Sequence, residues 1–209
     1  MHLRPFDEER DRIVEASHPT WRQSPGLPTV RIVIPHNEKQ WQEAGRMARE
    51  LVAWIAERTA IDRASVVEPM LQESHRLDVL YRPPLACFLM AMDLPNAAVA
   101  STPGCVEMDS SRAAGITAVR LIGPGVAELK RVWVRPEFRG QGIASLMLDH
   151  ALEHARMMIA HTIRLETAPA IMPHAHAMYL ARGFQPIQPY SGLALHAPDV
   201  VAMELSLTI

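Results

Sequence analysis

The chain is short of thiols, of excess charge and of long apolar runs, and each shortage closes a class of explanation. Its two cysteines, Cys87 and Cys105, lack the paired spacing of a zinc site, and nothing about them calls for an oxidising compartment. Cys87 lies in the apolar run Leu85-Ala86-Cys87-Phe88-Leu89-Met90 and reads as a core residue. The formal net charge is −2 and no basic stripe stands out, which argues against a nucleic-acid partner. No window approaches the ~20 apolar residues of a membrane span. The segment Met1-His2-Leu3-Arg4-Pro5-Phe6 lacks the apolar core of a secretory signal. No membrane partner and a cytoplasmic location are therefore expected.

What remains is the composition of a globular domain. Hydrophobic residues make up 48% and charged residues 21% of 209, enough to bury a core. Residues 1–28, charged at first and then rich in Pro, Ser and Thr, read as an N-terminal extension, and 29–209 as the folded domain. The β-branched run Thr29–Pro35 predicts a strand. Asn37 is placed to cap a helix over 39–59, where Met47, Leu51 and Ile55 recur every fourth residue. A second helix is expected over 64–79, stopped by Tyr81-Arg82-Pro83-Pro84. Strands are predicted at 85–92, 114–122 and 127–134, with a long hairpin loop around 93–112. The clearest helix spans 142–161, with Ile143, Met147, Ala151, Ala155 and Met158 on its buried face. A strand at 162–167, a helix near 174–182 stopped at Gly183, and strands near Pro186 and over 200–207 complete the chain. Strand and helix alternating over short joins imply a βαβ unit inside a mixed α/β sheet of six or seven strands with four or five helices.

The chemically informative stretch is Glu128-Leu-Lys-Arg-Val-Trp-Val-Arg-Pro-Glu-Phe-Arg-Gly-Gln-Gly-Ile-Ala144, a strand, a glycine-rich turn and the start of a helix. Free N–H groups at a helix start and the positive end of its dipole suit an anion. Gly140 and Gly142 remove Cβ atoms from the approach, and Arg139 adds a positive charge. A Walker-type loop would need Gly-Lys-Ser/Thr. The dinucleotide fingerprint would need three spaced glycines and a later acid. Arg139-x-x-Gly142-x-Ala144 is neither. A plain glycine turn capping a helix is the alternative reading of the turn by itself.

With its flanks, this stretch resembles the coenzyme-binding motif of the GCN5-related N-acetyltransferase (GNAT) superfamily. Leu165-Glu166-Thr167 resembles that family's fifth strand, and Ala175-x-x-Met178-Tyr179-Leu180-x-Arg182-Gly183-Phe184 its next helix and turn. The resemblance is close over 127–190 and looser over 29–126. It implies an α+β fold with a mostly antiparallel mixed sheet, an acetyl-coenzyme A donor, an amine acceptor and, as is common in the family, a homodimer. It also implies that the strand before the turn parts from its neighbour at a bulge. Backbone at Val132, Trp133 and Val134 would then receive the pantetheine arm and the acetyl carbonyl. The N–H groups of Gly140, Gln141, Gly142, Ile143, Ala144 and Ser145 would take the pyrophosphate, with Arg139 at the motif's first position.

Direct attack of an amine on a thioester needs a base, an oxyanion donor and a proton for the leaving thiolate. By the resemblance, Tyr179 supplies that last proton, its alternative being an aromatic anchor. Glu166 and Glu128 compete as base, each with a salt-bridged strand-end carboxylate as its plain reading. Relatives often carry Asn seven residues before the tyrosine, where this chain has Met172. Trp133 and Tyr190 either line the acceptor pocket or pack in the sheet. His174 and His176, two apart, diverge on a helix, and His150 and His154 lack a third ligand, so no metal is expected. The expected reaction is acetyl-coenzyme A-dependent N-acetylation of a primary amine on a small molecule or amino acid. The alternatives are a protein N-terminal or lysine acceptor, or a sensor that binds acyl-coenzyme A without turnover.

Overall fold

The computed structural model describes residues 29–59, 63–94, 113–193, 197 and 199–207. The extension expected at 1–28 and most of the loop expected at 93–112 lie outside the described residues. Strands β1 (Thr29–Val33), β2 (Ala86–Leu94), β3 (Ala113–Gly123), β4 (Val126–Val134), β5 (Thr162–Thr167), β6 (Gln185–Ile187) and β7 (Val201–Ser206) form one sheet in the order β1-β2-β3-β4-β5-β7-β6. Every neighbouring pair is antiparallel except β4–β5. This is the mixed, mostly antiparallel sheet expected from the sequence.

Helix α1 (Glu38–Ala56) begins where Asn37 leaves the helical region, its side chain accepting the Gln40 N–H at 3.0 Å. Gln40 returns its own oxygen to the His36 N–H at 2.9 Å, so two otherwise unpaired donors are satisfied reciprocally. The single helix expected over 64–79 is instead three pieces: a π-helical turn (Arg63–Val67), α2 (Glu68–Ser74) and α3 (Leu77–Leu80). Pro69 sits in the first turn of α2, and the Ser74 hydroxyl bonds to the Leu71 carbonyl at 2.6 Å, competing with helix continuation. Leu85 lies outside its expected strand and is exposed.

Alternation along β2 sends side chains to two cores. Cys87 and Leu89 join Leu129, Ile163 and Leu165 against α4 (Ile143–Met157) and α5 (Pro173–Ala181). Phe88 and Met90 join Ile116, Met47 and Leu51 against α1. Burial pushes the Cys87 thiol up to about 12, so it is an inert core group.

Strand β4 departs from regular pairing on both of its edges. It pairs with β5 only from Val126 to Glu128, opposite Thr162 to Arg164, and then the strands part. Against β3, Ala118 and Ile116 face Lys130 and Trp133, so β4 carries one extra residue. The bulge is centred on Arg131, whose φ is 57°. That left-handed conformation costs a side-chain-bearing residue about 1–2 kcal/mol. Because of it, Lys130 and Arg131 both turn toward the α1–α2 face, and Trp133 follows on that face while Val134 packs toward α4.

Candidate active site

The turn after β4 is built to leave donors free. Pro136–Phe138 form a 3-10 turn that closes with the Arg139 N–H on the Pro136 carbonyl at 3.2 Å. The first helical bond of α4 is Leu146 N–H to Gly142 O at 3.0 Å. Between them, the N–H groups of Gly140 to Ser145 take no protein acceptor among the described residues. Gly140 and Gly142 both have φ of 76°, and a Cβ on either would meet no atom within 4 Å. The concave side of the bend is therefore open, with free donors and the positive end of a 15-residue helix aimed at it.

Arg139 is placed differently from the simple expectation of a charge beside that anion. Its Nε donates to the Val134 carbonyl at 3.0 Å, and its guanidinium lies 4.7 Å from the Trp133 ring centre and 5.5 Å from that of Trp54. Arg58 stacks on the same Trp54 at 4.5 Å. Burial and then repulsion from Arg58 lower the Arg139 pKa. A second cation, part of the helix-and-turn stretch that resembles the family but given no role there, stands at the first turn of α4. Arg182, at the end of α5, donates to Ser145 Oγ and pairs with Asp149. Its position beside Gly183 gives no hint of a contact 37 residues away.

The two candidate bases lie on the α1–α2 face where β4 and β5 diverge. Glu128 is buried, with Arg120 Nε and Nη2 donating to its Oε2 at 2.9 and 2.8 Å and Lys130 at 3.8 Å. Tyr190 donates its hydroxyl to Oε1 of Glu128 at 3.2 Å. Burial, then the charges of Glu128 and Glu166, push the Tyr190 phenol up, so it stays a donor. Glu166 is half-buried, and Ser191 Oγ lies 2.7 and 2.8 Å from its two oxygens. Desolvation raises the Glu166 pKa and Glu128 adds to the rise, against the Ser191 hydrogen bond. The structure thus brings Glu128, Glu166, Tyr190 and Ser191 together. Sequence reasoning missed both Arg120, which faces Glu128 across the β3–β4 hairpin, and Ser191, whose contact spans 25 residues; the hairpin register was the signal that could have found Arg120.

Tyr179 is buried on α5, edge-on to Phe184 with ring centres 5.6 Å apart. Its hydroxyl has no hydrogen-bond partner among the described residues, and burial raises its pKa. Met172 precedes α5 and offers no side-chain cap, so no polar side chain stands where relatives often place Asn. Trp133 is 6% exposed and packs on Trp54 with ring centres 5.4 Å apart, which places it in the α1-side core rather than on an open wall.

The comparisons with known proteins agree with this geometry. Residues 67–184 match the acetyltransferase (GNAT) family. An uncharacterized N-acetyltransferase of Schizosaccharomyces pombe is 29% identical over 128 residues, spanning 61% of this chain and 68% of that protein. An uncharacterized N-acetyltransferase of Escherichia coli is 33% identical over 102 residues, spanning 48% of this chain and 62% of that protein. The PaiA N-acetyltransferase of Thermoplasma acidophilum, solved with coenzyme A, shares the fold with a TM-score of 0.53 and 18% identity, covering 85% of this chain and 99% of that one. The chain belongs to the GNAT acetyltransferase family and is an acyltransferase enzyme.

Proposed function

We propose that the chain moves the acetyl group of acetyl-coenzyme A directly onto a primary amine of a small molecule or amino acid. The observation that carries this reading is the run of N–H groups from Gly140 to Ser145 that no described residue accepts, set beside a β4 edge that β5 has left. The bend would hold the pyrophosphate, and the backbone of Val132, Trp133 and Val134 would align the pantetheine arm. That PaiA was solved with coenzyme A supports the same donor here.

The amine nitrogen attacks the thioester carbonyl carbon. Glu166 takes its proton, since among the described residues its carboxylate has only a hydroxyl partner while Glu128 is held by Arg120. An N–H near Val134 stabilises the oxyanion. The carbon–sulfur bond then breaks, and Tyr179 protonates the departing thiolate. The route asks for no metal. Glu128 acts through its charge and through Tyr190, and takes the base role only if Glu166 proves dispensable.

A small acceptor fits better than a protein segment, because Tyr190 and Ser191 cross over both carboxylates. A cytoplasmic location and a homodimer belong to the same reading. No helix among the described residues is long and apolar enough to cross a membrane. The test is a screen of amines with acetyl-coenzyme A, read by thiol release and by the mass of the acetylated product. Binding of acetyl-coenzyme A with no turnover on any amine would favour a sensor. Transfer confined to peptides would replace the acceptor class.

A further inference from the structure

The bulge in β4 is held from outside the sheet. Arg131 adopts φ of 57° without being glycine, a conformation that persists only when its surroundings fix it. The fixing group is Glu73 of α2. Its Oε1 accepts Arg131 Nε at 3.1 Å, and its Oε2 lies 2.9 Å from Arg131 Nη2, a two-point grip on a planar guanidinium. The Arg131 side chain is 8% exposed and that of Glu73 15%. Tyr81 donates its hydroxyl to Glu73 Oε1 at 2.7 Å, and Lys130 approaches Oε2 at 3.8 Å. Glu73 is thus fixed from the helical layer by Tyr81 and fixes the strand through Arg131.

The consequence for chemistry lies in the backbone. The bulge puts Trp133 and Val134 one residue out of phase with the first half of β4. Without it, Trp133 would point to α4 and Val134 to α1. The N–H and C=O groups of Val132 to Val134 would then present the opposite edge to the gap left by β5. The acyl donor in the proposed reaction depends on that edge.

We infer that Glu73 is a positioning residue: through Arg131 it holds the β4 bulge in the conformation that offers the Val132–Val134 backbone to acyl-coenzyme A. The inference rests on the proposed function for the ligand. Among the described residues, no hydrogen bond or ion pair joins Glu73 to the Gly140–Ser145 bend or to Glu166.

A double-mutant cycle tests it. Glycine at 131 adopts positive φ at no steric cost, so it removes the need for a latch. Coenzyme A affinity is measured by calorimetry for wild type, Glu73→Gln, Arg131→Gly and the double variant, each with a thermal unfolding midpoint. Glu73→Gln in the wild-type background is expected to weaken coenzyme A binding about tenfold. In the Arg131→Gly background the same change is expected to weaken it less than about twofold. If Glu73→Gln does not fold by itself, the comparison of Arg131→Gly with the double variant decides. An equal loss in both backgrounds would overturn the inference, because Glu73 would then act without Arg131. So would a folded Glu73→Gln protein that binds coenzyme A like wild type. Failure of the wild-type protein to bind coenzyme A is a separate result, which removes the proposed function and the latch with it.

Discussion

Tyr190 donates its hydroxyl to Oε1 of Glu128 at 3.2 Å, while Arg120 grips Oε2 of the same carboxylate. Glu128 is therefore a satisfied, ion-paired group. Glu166 on the next strand has a hydroxyl partner and a raised pKa. The base must be ionised to accept a proton, so activity falls as pH drops through its pKa. Burial and then Glu128 repulsion raise the Glu166 value, so the fall begins at higher pH than for a free glutamate. Glu128→Gln removes the repulsion and should move the acid limb of kcat/KM to lower pH. Glu166→Gln should lower kcat by about 10²–10⁴-fold. A pH profile that keeps its acid limb unmoved in Glu128→Gln, or a fully active Glu166→Gln protein, would return the base role to Glu128 or to water.

Tyr179 offers a cleaner separation of chemistry from folding. Its ring packs on Phe184, and its hydroxyl has no protein partner among the described residues. Burial raises the phenol pKa, so the proton is present throughout the neutral range. Tyr179→Phe keeps the ring contact and removes only the donor. Turnover should fall by about 10²-fold or more, while coenzyme A affinity and unfolding midpoint stay close to wild type. A loss of stability with normal turnover would make Tyr179 the aromatic anchor instead.

The contrast between local and distant signals explains what the sequence could disclose. The strand predicted at 162–167 has those same bounds in the structure, because Ile163, Leu165 and Thr167 alternate with half-buried neighbours. The α4 stripe through Ile143, Met147, Ala151 and Ala155 is equally legible, since one face at helical spacing fixes it. The bulge is implied only by the family resemblance; its position at Arg131 leaves no local mark, because Lys130-Arg131-Val132 holds no glycine to advertise positive φ. The break inside 64–79 escapes the pattern because a serine hydroxyl and a proline turn override ordinary helix propensity. Arg182 and Ser191 act across elements far apart in the chain, where no spacing rule reaches, whereas Arg120 faces Glu128 across the β3–β4 hairpin and its pairing depends on the register of that hairpin.

Arg135 shows the same limit and gives a stability prediction. In the sequence it opens the Arg-Pro-Glu-Phe stretch of the family resemblance, with no sign of its ion pairs. In the structure it is 6% exposed and donates to Glu43 at 2.8 Å, to Glu50 at 2.9 and 3.0 Å, and to the Ala113 carbonyl at 2.6 Å. Glu43 is 5% exposed and is also held by the half-exposed Arg46 through Nε at 2.7 Å, so removing Arg135 takes one of two cations from a buried carboxylate and leaves Glu50 and the Ala113 carbonyl without that donor. Arg135→Ala should destabilise the fold by about 1.5–3 kcal/mol, measured by urea denaturation. Adding Glu43→Gln should recover part of that loss, because the buried carboxylate that lost one of its two cations becomes a neutral amide. A cost below about 1 kcal/mol would mean that the cluster is hydrated and the burial argument fails.

The coenzyme bend permits a test in which protein sterics drop out. At Gly142 a Cβ would meet no protein atom within 4 Å, so Gly142→Ala creates no internal clash. Its φ of 76° still makes alanine unfavourable there, by about 1–2 kcal/mol of stability. If the bend holds a diphosphate, the added methyl stands where the ligand must approach the Ile143 and Ala144 N–H groups. Coenzyme A affinity should then fall by about tenfold or more, from a ligand clash worth at least ~1.4 kcal/mol. A comparison with dephosphorylated pantetheine sharpens the reading, since a ligand without the pyrophosphate should be insensitive to the methyl. Equal loss for both ligands would place the damage in the fold. No loss for either would mean that the open side of the bend is not where the phosphates lie.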